Sequence, residues 1–391
     1  MARIVIIGAG YAGWSVAKTL ASSLRSSDAT EVVLLEKSKF FYHAVGAPRA
    51  YVDAEYAAKM FIPYDNAIPQ TEFVRRVRAV ATGISASKKE VMYQVIGDDD
   101  QPATETKTMT FDFLVLAMGS SHTAPIKEAP ANFSPEHTKQ QLKQIRSQLV
   151  EAESILIVGG GGVGCEVAGE VATYFPNKKV TLLHSHERLC SSNGLTDKFH
   201  EYLMHSLEKL KVNVILGERL IERLTDNSFG RRTLMTHMGT AIESDVQLLC
   251  SGFNPLSELM RAMDESLVDD NGRVRVNASL QLDASKYPHI FALGDLNNHP
   301  APKSAGSAYR QGEFVAKELM AFIRNKQHEV TRVFPCPSTQ SITLSLGPNG
   351  GVSQLPVFGG IVFGDLLTRW VKSRDLHVGV IRWVFRAPAN K

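Results

Sequence analysis

The sequence predicts an α/β fold with two domains of one architecture and a small C-terminal α+β region. The chain has 391 residues, of which 44% are hydrophobic, so it is too long for one comfortable core and too apolar to be disordered. A pattern of buried strand, glycine-rich turn, helix and second strand occurs twice, at residues 3–35 and 154–183. We therefore expect one βαβ unit in each of two domains.

The two units contain corresponding elements. The first has a strand at Arg3–Ile7, a helix from Tyr11 to about Leu24 and a strand at Val32–Leu35; the second has Ser154–Val158, a helix to about Tyr174 and Val180–Leu183. A helix at 137–150 leads into the second unit, and a third region begins after a helix at Ala305–Asn325. The predicted domains are residues 1–125 with 285–330, residues 126–284, and the C-terminal region 331–391.

The first glycine turn reads Gly8-Ala9-Gly10-Tyr11-Ala12-Gly13. Gly8 permits the tight turn, Gly10 lets the backbone approach a pyrophosphate, and Gly13 lets helix and strand pack closely. Glu36 ends the second strand, where a carboxylate binds ribose hydroxyls. This context predicts a Rossmann-like dinucleotide site that includes the next residue, Lys37. A glycine-rich turn without a ligand is the alternative.

The second glycine turn, Gly159-Gly160-Gly161-Gly162-Val163-Gly164, predicts another such site, with Gly159, Gly161 and Gly164 in the same three roles. Glu166 lies just inside the following helix. An acid there can hold the ribose or carboxamide of a nicotinamide in the geometry that hydride transfer needs. The alternative is an acid that only interacts favourably with the helix dipole.

The second strand of this unit ends at His184, where an acid would select NAD by holding the 2′-hydroxyl. The turn instead reads His184-Ser185-His186-Glu187-Arg188. It lacks a carboxylate at the strand end and offers an arginine and two imidazoles. We expect NADPH to be accepted as well as NADH, with Arg188 near the 2′-phosphate. A solvated surface charge is the alternative for Arg188.

Three further apolar strands end in residues suited to a cofactor. Residues 113–119 and 246–252 end in Gly119 and Gly252, which let backbone approach a nucleotide. Residues 289–295 end in Asp295, whose carboxylate can accept hydrogen bonds from the ribityl chain of FAD; the alternative is a salt-bridged surface aspartate. These segments predict a flavoprotein that binds FAD and oxidises NADH or NADPH.

We expect the flavin to lie between the two domains. Lys303 opens the helix that follows Asp295 and can face the flavin pyrimidine edge, where negative charge develops on reduction. A solvated lysine is the alternative. Glu166 and Lys303 are the catalytic candidates. His43 either lines the flavin or acceptor pocket or packs in the core among aromatic residues.

Composition bears on several other classes of protein. The 43 basic and 40 acidic residues give a net charge of +3, which is no footprint for nucleic acid. Cys165, Cys190, Cys250 and Cys336 include no pair at the spacing of a redox dithiol or a zinc site. No metal is predicted, and we expect electrons to leave the flavin directly rather than through a protein disulfide.

With these motifs the chain resembles the two-dinucleotide-binding-domain flavoproteins, and within them the apoptosis-inducing-factor-like, ferroptosis-suppressor quinone oxidoreductases. The more specific matches are Phe41-Tyr42-His43 with Arg49-Ala50, residues 159–170, residues 180–185, and Lys372-Ser373-Arg374-Asp375-Leu376. Type II NADH dehydrogenases are more distantly similar. The resemblance implies NAD(P)H oxidation, reduction of a quinone and peripheral attachment to a membrane, and it places His43 and Arg49 among the FAD-site residues.

The N-terminal residues predict no targeting segment. The first strand begins at Arg3, which leaves no room for a signal or transit peptide, and Ala2 in place of glycine excludes the N-myristoylation of the animal relatives. We expect a cytoplasmic protein, or one held peripherally on a membrane or lipid droplet.

Residues 361–391 predict an amphipathic surface helix. Its apolar residues recur at helical spacing at Phe363, Leu366, Leu367, Trp370 and Val371. Six basic residues against two acidic ones give the segment a net charge of +4: Arg369, Lys372, Arg374, Arg382, Arg386 and Lys391 against Asp365 and Asp375. This face either docks on an anionic membrane, from which a quinone reaches the flavin, or packs on the FAD domain or a second subunit of a homodimer.

Two other functions stay open. One is a reductase that passes single electrons to a small iron–sulfur protein, which a basic patch around the flavin would favour. The other is a non-enzymatic interaction protein related to apoptosis-inducing factor, which the intact second glycine turn disfavours.

Overall fold

A computed structural model describes residues 1–191, 194–282, 286–325, 330, 332–336 and 338–388. The predicted boundaries at residues 284, 285 and 331, and the C-terminal Lys391, lie outside these ranges. The strands are β1 (Ala2–Ile7), β2 (Thr30–Glu36), β3 (Phe40–Tyr42), β4 (Phe61–Pro63), β5 (Val74–Ser85), β6 (Glu90–Val95), β7 (Lys107–Thr110), β8 (Phe113–Leu116), β9 (Ser120–Ser121), β10 (Ser154–Val158), β11 (Lys179–Leu183), β12 (Asn213–Ile215), β13 (Ser228–Met235), β14 (Ala241–Leu249), β15 (Asn254–Pro255), β16 (Ile290–Ala292), β17 (Ile342–Ser345), β18 (Gly351–Leu355) and β19 (Ile361–Phe363). The helices are α1 (Tyr11–Ser23), α2 (Ala47–Ala50), α3 (Ala54–Lys59), α4 (Pro135–Glu151), α5 (Gly162–Tyr174), α6 (Asp197–Lys209), α7 (Glu258–Met263), α8 (Ala305–Asn325), α9 (Asp365–Thr368) and α10 (Val378–Val384).

The largest sheet has the strand order β16-β8-β1-β2-β5-β6-β7. Strands from β16 to β5 pair in parallel, and β6 and β7 extend the sheet in antiparallel fashion. Ile7 is in register with both Leu35 and Leu116. The first glycine turn, Glu36 and the segment leading to Gly119 therefore leave the sheet at one edge, where ligands of open α/β sheets bind.

The second sheet repeats this arrangement in the order β12-β11-β10-β14-β13. Only β13 runs antiparallel to its neighbour, within the described strands of this sheet. Val158 is in register with Leu183 and Leu249, so the second glycine turn, His184 and the segment leading to Gly252 share one edge. The predicted α/β class with two Rossmann-like units is confirmed.

The C-terminal part of the chain forms an antiparallel sheet of β17, β18 and β19 that packs against α5. The packing is close, since a Cβ added to Gly169 would lie 2.6 Å from the Cα atom of Leu346. Phe363 belongs to β19, in register with Ser353, so the prediction that it begins a helical face is wrong. The short run Ile361–Phe363 is apolar without a decisive period, and sheet pairing determines its conformation.

The helix begins at Asp365 and continues after α9 as a π-helical turn at Arg369–Ser373. Its apolar side chains point outward: Leu366 is 80% exposed, Trp370 69% and Val371 47%. The polar side faces the protein, since Thr368 is fully buried and Lys372 largely so. The alternative in which this face packs on the FAD domain is therefore wrong. Within the described residues, no helix has the length and apolar character needed to cross a bilayer.

Candidate functional site

Each glycine of the first turn has the environment that its predicted role requires. Gly8 has φ +93°, and a Cβ there would lie 2.6 Å from the carbonyl oxygen of Ala117. At Gly13 a Cβ would lie 1.9 Å from the Gly8 oxygen, so a larger residue would push α1 away from the strand. Gly10, the residue before α1, differs because a Cβ there meets no described atom within 4 Å. Open space at the helix N-terminus fits a pyrophosphate.

The second turn has the same construction. Gly159 has φ +116°, and a Cβ there would lie 2.8 Å from the Cys250 backbone. At Gly164 the added atom would lie 1.8 Å from the Gly159 oxygen, whereas at Gly161 it meets no described atom within 4 Å. Gly161 precedes α5 as Gly10 precedes α1. The chain therefore presents two helix N-termini of matching geometry.

Glu36, which ends β2, and His184, which follows β11, occupy equivalent positions beside the first and second turns. Glu36 is 9% exposed, and its Oε2 accepts a hydrogen bond from the Ala9 amide at 2.6 Å. His184 Nδ1 accepts one from the amide of Gly160, the matching turn residue, at 3.2 Å. Because the amide can only donate, Nδ1 carries no hydrogen and the neutral ring carries it on Nε2. Burial, assisted by His186, lowers the pKa of His184 and favours this neutral form.

A cavity of about 1050 Å³ opens beside the second turn, a volume suited to a cofactor-sized ligand. Gly159 and Gly161 border it on one side, and residues 183–186 close the strand end. Segments 218–226 and 249–254 form further walls, and residues 121–124 border it from the chain crossover where β9 pairs with β15. Gly252 lines the cavity; Gly252 and Gly119 have φ of +65° and +71°, and a Cβ at either would meet no described atom within 4 Å.

Glu166 lies where α5 meets the C-terminal sheet. The side chain is largely buried, and its Oε1 accepts hydrogen bonds from the Ser345 amide at 2.9 Å and from Lys372 Nζ at 2.5 Å. Lys372 also donates to the Thr343 carbonyl at 3.0 Å. The residue proposed to position nicotinamide is thus held by the same segment that exposes Trp370.

Arg49 joins three parts of the structure. Its Nη2 and Nε donate to the two carboxylate oxygens of Glu170 at 2.7 and 3.0 Å, and its Nη1 donates to the Arg374 carbonyl at 3.2 Å. Burial alone would lower the pKa of Arg49, but the hydrogen bonds and charge of Glu170 outweigh it and raise the pKa. The structure therefore brings this predicted FAD-site residue into an ion pair between α2, α5 and the C-terminal segment.

His43 lies in the packed core, 1% exposed. Its Nε2 donates to the Leu376 carbonyl at 2.7 Å, so its Nδ1 accepts from the Tyr11 hydroxyl at 2.8 Å. Burial lowers the pKa of His43 to about 4, which keeps the ring neutral. The environment is that of the core alternative given above for this residue.

Lys37 points into the loop that follows β9. Its ammonium donates to the carbonyls of Ala129, Pro130 and Asn132, each at 2.9 Å. Burial lowers the pKa of Lys37, although the negative charges of nearby glutamates partly raise it. The residue holds this loop beside Glu36.

Asp295 is held at the end of β16 by two residues that the sequence did not single out. Its Oδ2 accepts from Ser120 Oγ at 2.9 Å and from Lys127 Nζ at 2.5 Å. Burial would raise the pKa of Asp295, but Lys127 outweighs it and lowers the pKa. Lys127 belongs to no sequence motif, so only the folded structure shows that it contacts Asp295.

Lys303 lies next to Asp295 in space. Its ammonium donates to Asn297 Oδ1 at 2.7 Å and to the carbonyls of His299 and Gly294 at 3.0 and 3.4 Å. Burial lowers the pKa of Lys303 to about 8. Together, the open space at Gly10, the α1 N-terminus and the Asp295 carboxylate fit the pyrophosphate and ribityl chain of FAD.

Two expectations from sequence spacing look different in three dimensions. Arg188 forms an ion pair with Asp197 at 2.5 Å in the first turn of α6 and is not part of the cavity wall.

Cys165, Cys190 and Cys250, distant in sequence, lie together beneath the second turn. A hydrogen bond to Cys190 and burial raise the pKa of Cys165, and burial raises that of Cys250 to about 12, so these thiols are poor nucleophiles.

Comparison with known proteins agrees with this geometry. Residues 2–312 match the family described as pyridine nucleotide-disulphide oxidoreductase. The chain belongs to this family. It is 31% identical to apoptosis-inducing factor homolog A of Dictyostelium discoideum, over 99% of this chain and 92% of the relative. It is 28% identical to human ferroptosis suppressor protein 1, over 96% of this chain and 94% of the relative.

Solved structures show the same fold at lower identity. A NAD-dependent persulfide reductase from A. fulgidus superposes with a TM-score of 0.66 at 18% identity, over 90% of this chain and 63% of that one. Putidaredoxin reductase, in its complex with putidaredoxin, gives 0.64 at 19% identity, over 90% and 81%. The predicted membership of the apoptosis-inducing-factor-like, ferroptosis-suppressor group is confirmed, and the protein is an NAD(P)H-dependent flavoprotein oxidoreductase that uses FAD.

Proposed function

We propose that the protein takes a hydride from NAD(P)H and passes two electrons through its FAD to a quinone-type acceptor at a membrane surface. The observation that carries the proposal is the outward apolar face on the segment whose Lys372 contacts Glu166. The surface that meets the acceptor would thus lie on the same short segment that contacts Glu166, the residue proposed to orient the nicotinamide. The resemblance described above implies the same acceptor.

Each module has a separate role in this proposal. The first turn holds the FAD pyrophosphate on the α1 amides, with Glu36 at the ribose and Asp295 at the ribityl chain. The second turn holds NAD(P)H, and Glu166 orients the nicotinamide end. FAD, when bound, supplies the hydride-accepting and electron-donating chemistry. The Lys303 ammonium stabilises negative charge at the flavin edge, and Lys127 keeps Asp295 ionised.

The cysteines support direct transfer from flavin to acceptor. Cys165, Cys190 and Cys250 lie beneath the second turn rather than beside the first; the hydrogen bond with Cys190 and burial raise the pKa of Cys165, and burial raises that of Cys250, so both thiols stay protonated. A disulfide relay needs a reactive thiolate. A small organic acceptor that meets the flavin directly fits better.

The exposed face fits a membrane in shape and charge. Leu366, Trp370 and Val371 are accompanied by Val380 and Trp383, which are 56% and 80% exposed on α10. Lys372 is turned inward to Glu166 and Lys391 is not described, so the remaining basic residues are the exposed Arg374 and Arg386 and the half-buried Arg369 and Arg382. Against Asp365 and Asp375 this leaves a smaller positive excess than the sequence predicts. Tryptophan rings beside arginines are typical of interfacial segments.

The decisive experiment is anaerobic reduction of the FAD-loaded protein by NADH and NADPH, followed by a panel of acceptors. The panel contains a short-chain soluble quinone, a long-chain quinone in vesicles and a small iron–sulfur protein. We expect both quinones to reoxidise the flavin, with the long-chain quinone active only in vesicles. Reoxidation by the iron–sulfur protein alone would contradict the proposal.

Membrane docking is tested by flotation with anionic vesicles at low and high salt. Trp370→Glu is compared with Met238→Glu, because Met238 is 70% exposed on the hairpin between β13 and β14 of the second sheet and is not part of the C-terminal segment. We expect wild type and Met238→Glu to float at low salt and Trp370→Glu to stay behind, while all three reduce the soluble quinone. Equal flotation of both variants would contradict the proposal that the face containing Trp370 docks on the membrane.

A further inference from the structure

The cavity beside the second turn differs from an NAD-selective site in the residue that closes it. An NAD site uses a carboxylate to accept a hydrogen bond from the ribose 2′-hydroxyl. Here His184 occupies that place, and its Nδ1 is already used by the Gly160 amide. Its Nε2 is buried, and the Arg188 backbone is near enough to raise the pKa of His184 slightly against the effect of burial. The end of β11 therefore lacks the carboxylate that holds a 2′-hydroxyl in an NAD site.

The segment after β12 brings two arginines to the cavity wall near His184. The chain after β12 folds across the end of β11, since the Gly217 amide donates to the His186 carbonyl at 3.0 Å and the Glu218 amide donates to the His184 carbonyl at 3.1 Å. Arg219 follows directly, and Arg223 comes later in the same segment. Both line the cavity and are exposed. Neither guanidinium has a hydrogen bond or ion pair within the described part of the chain.

Three carboxylates also border the cavity, and two of them, Glu218 and Glu222, interact with side chains of other segments. Glu218 accepts hydrogen bonds from the hydroxyls of Thr236 and Thr240, at 2.5 and 3.1 Å. Glu222 forms an ion pair with Arg232 at 2.5 Å.

The third carboxylate, Asp226, lies at the far end of the cavity. Its neighbour Asn227 donates to the Ala124 carbonyl at the crossover between the modules. Of the arginine and carboxylate side chains that line the described cavity wall, only Arg219 and Arg223 have no hydrogen-bond or ion-pair partner.

We propose that the second site is selective for NADPH and that Arg219 and Arg223, rather than Arg188, hold the 2′-phosphate. The proposal rests on the second turn as the nicotinamide-nucleotide site. A guanidinium matches phosphate geometry, and the neutral His184 places no negative charge at the strand end that would repel a phosphate. Arg188 is already paired with Asp197 outside the cavity wall.

The test uses binding rather than turnover, so it does not depend on the electron acceptor. Calorimetry of the FAD-loaded protein compares adenosine 2′,5′-bisphosphate with adenosine 5′-monophosphate, which differ only in the 2′-phosphate. We expect wild type to bind the bisphosphate at least tenfold more tightly. Equal binding of the two by wild type would overturn the selectivity without any variant.

The residues are assigned with Arg219→Ala, Arg223→Ala, the double variant, and Arg188→Ala as the matched control. Each single variant at the cavity should weaken bisphosphate binding several-fold, and the double variant should bind both nucleotides equally. Arg188→Ala should keep the wild-type preference. Loss of the preference in Arg188→Ala, or its retention in the double variant, would overturn the assignment. FAD content and unfolding temperature show that each variant is folded.

Discussion

The two glycine turns share a backbone and differ in the side chain that closes them. At the first turn a carboxylate, Glu36, accepts the Ala9 amide; at the second a neutral imidazole, His184, accepts the Gly160 amide. The hydrogen bond to the turn is kept, whereas the negative charge is lost. This comparison shows that the turn itself needs only an acceptor atom, so the charge at this place is free to determine which nucleotide binds.

The turns also differ in what surrounds them. Glu36 uses its second oxygen on the Ser38 amide at 2.8 Å, so its carboxylate is fixed before any ligand arrives. His184, whose pKa burial lowers, borders a wide cavity without contributing a carboxylate.

The largest effect is expected from removing the open space at either turn. Gly10→Val should abolish retention of FAD, because its side chain would occupy the place of the pyrophosphate, at a position where an added Cβ meets no described atom within 4 Å. Gly161→Val, its counterpart, should leave FAD bound and abolish binding of NAD(P)H. Flavin absorbance of the purified variants and nucleotide titration measure the two outcomes. Full flavination of Gly10→Val would show that the first module is misassigned.

The next prediction concerns the pH dependence of stability and rests on the buried His43, compared with an exposed histidine. His43 has a pKa near 4 in the folded protein, below the unfolded value of about 6.5. The folded state therefore binds fewer protons in this interval, and the stability from neutral His43 is present above pH 6.5 and lost as pH falls toward 4. The loss is about 3 kcal/mol.

His43→Gln tests this through urea unfolding at pH 6.5 and pH 4. The fall in unfolding free energy between the two pH values should be about 3 kcal/mol smaller than in wild type. His205→Gln, at an exposed histidine on α6, is the matched control and should keep the wild-type slope. Identical slopes in all three proteins would contradict the assignment.

Glu166→Ala should slow flavin reduction by NAD(P)H roughly 100-fold while FAD stays bound, since a misplaced nicotinamide costs about that factor. The effect separates the modules, because Glu36 belongs to the first and Glu166 to the second. Anaerobic stopped-flow reduction measures it. Lys372→Met removes the same ion pair from its other side. If Lys372→Met slows reduction as much as Glu166→Ala, the pair acts structurally and Glu166 does not position the nicotinamide.

Local patterns predicted much of the fold and less of the site. The glycine turns and α8, found at Ala305–Asn325 as predicted, depend on near neighbours in sequence and on one hydrophobic period. The C-terminal helix was displaced at its start because Phe363 joins a strand that only tertiary pairing selects. The apolar spacing found the outward face but not its direction, since periodicity is the same for inward and outward stripes.

The contacts of the site residues depend on segments far apart in sequence. Glu170 pairs with Arg49 across 121 positions, and Lys127 reaches Asp295 across 168. Lys127 belongs to no motif, and the 159–170 run gives no sign that Glu170 pairs with Arg49. Arg219 and Arg223 could not be predicted for a similar reason, because motif spacing points to the residues at the strand end, whereas the folded chain brings the segment after β12 to the cavity. Sequence spacing predicted which backbone binds a nucleotide but not which side chains face it.

The smallest expected effect is also the most direct test of the comparison between the turns. His184→Glu gives the second turn the carboxylate of the first, with an oxygen for the Gly160 amide and another for a ribose hydroxyl. The new negative charge should repel a 2′-phosphate and weaken NADPH binding about tenfold, while NADH binding stays level or improves. His184→Gln is the matched control, because it supplies an acceptor without charge and should change the ratio of the two affinities little. If His184→Glu leaves that ratio as in wild type, the charge at this position does not determine nucleotide choice, and the difference between the turns reflects packing alone.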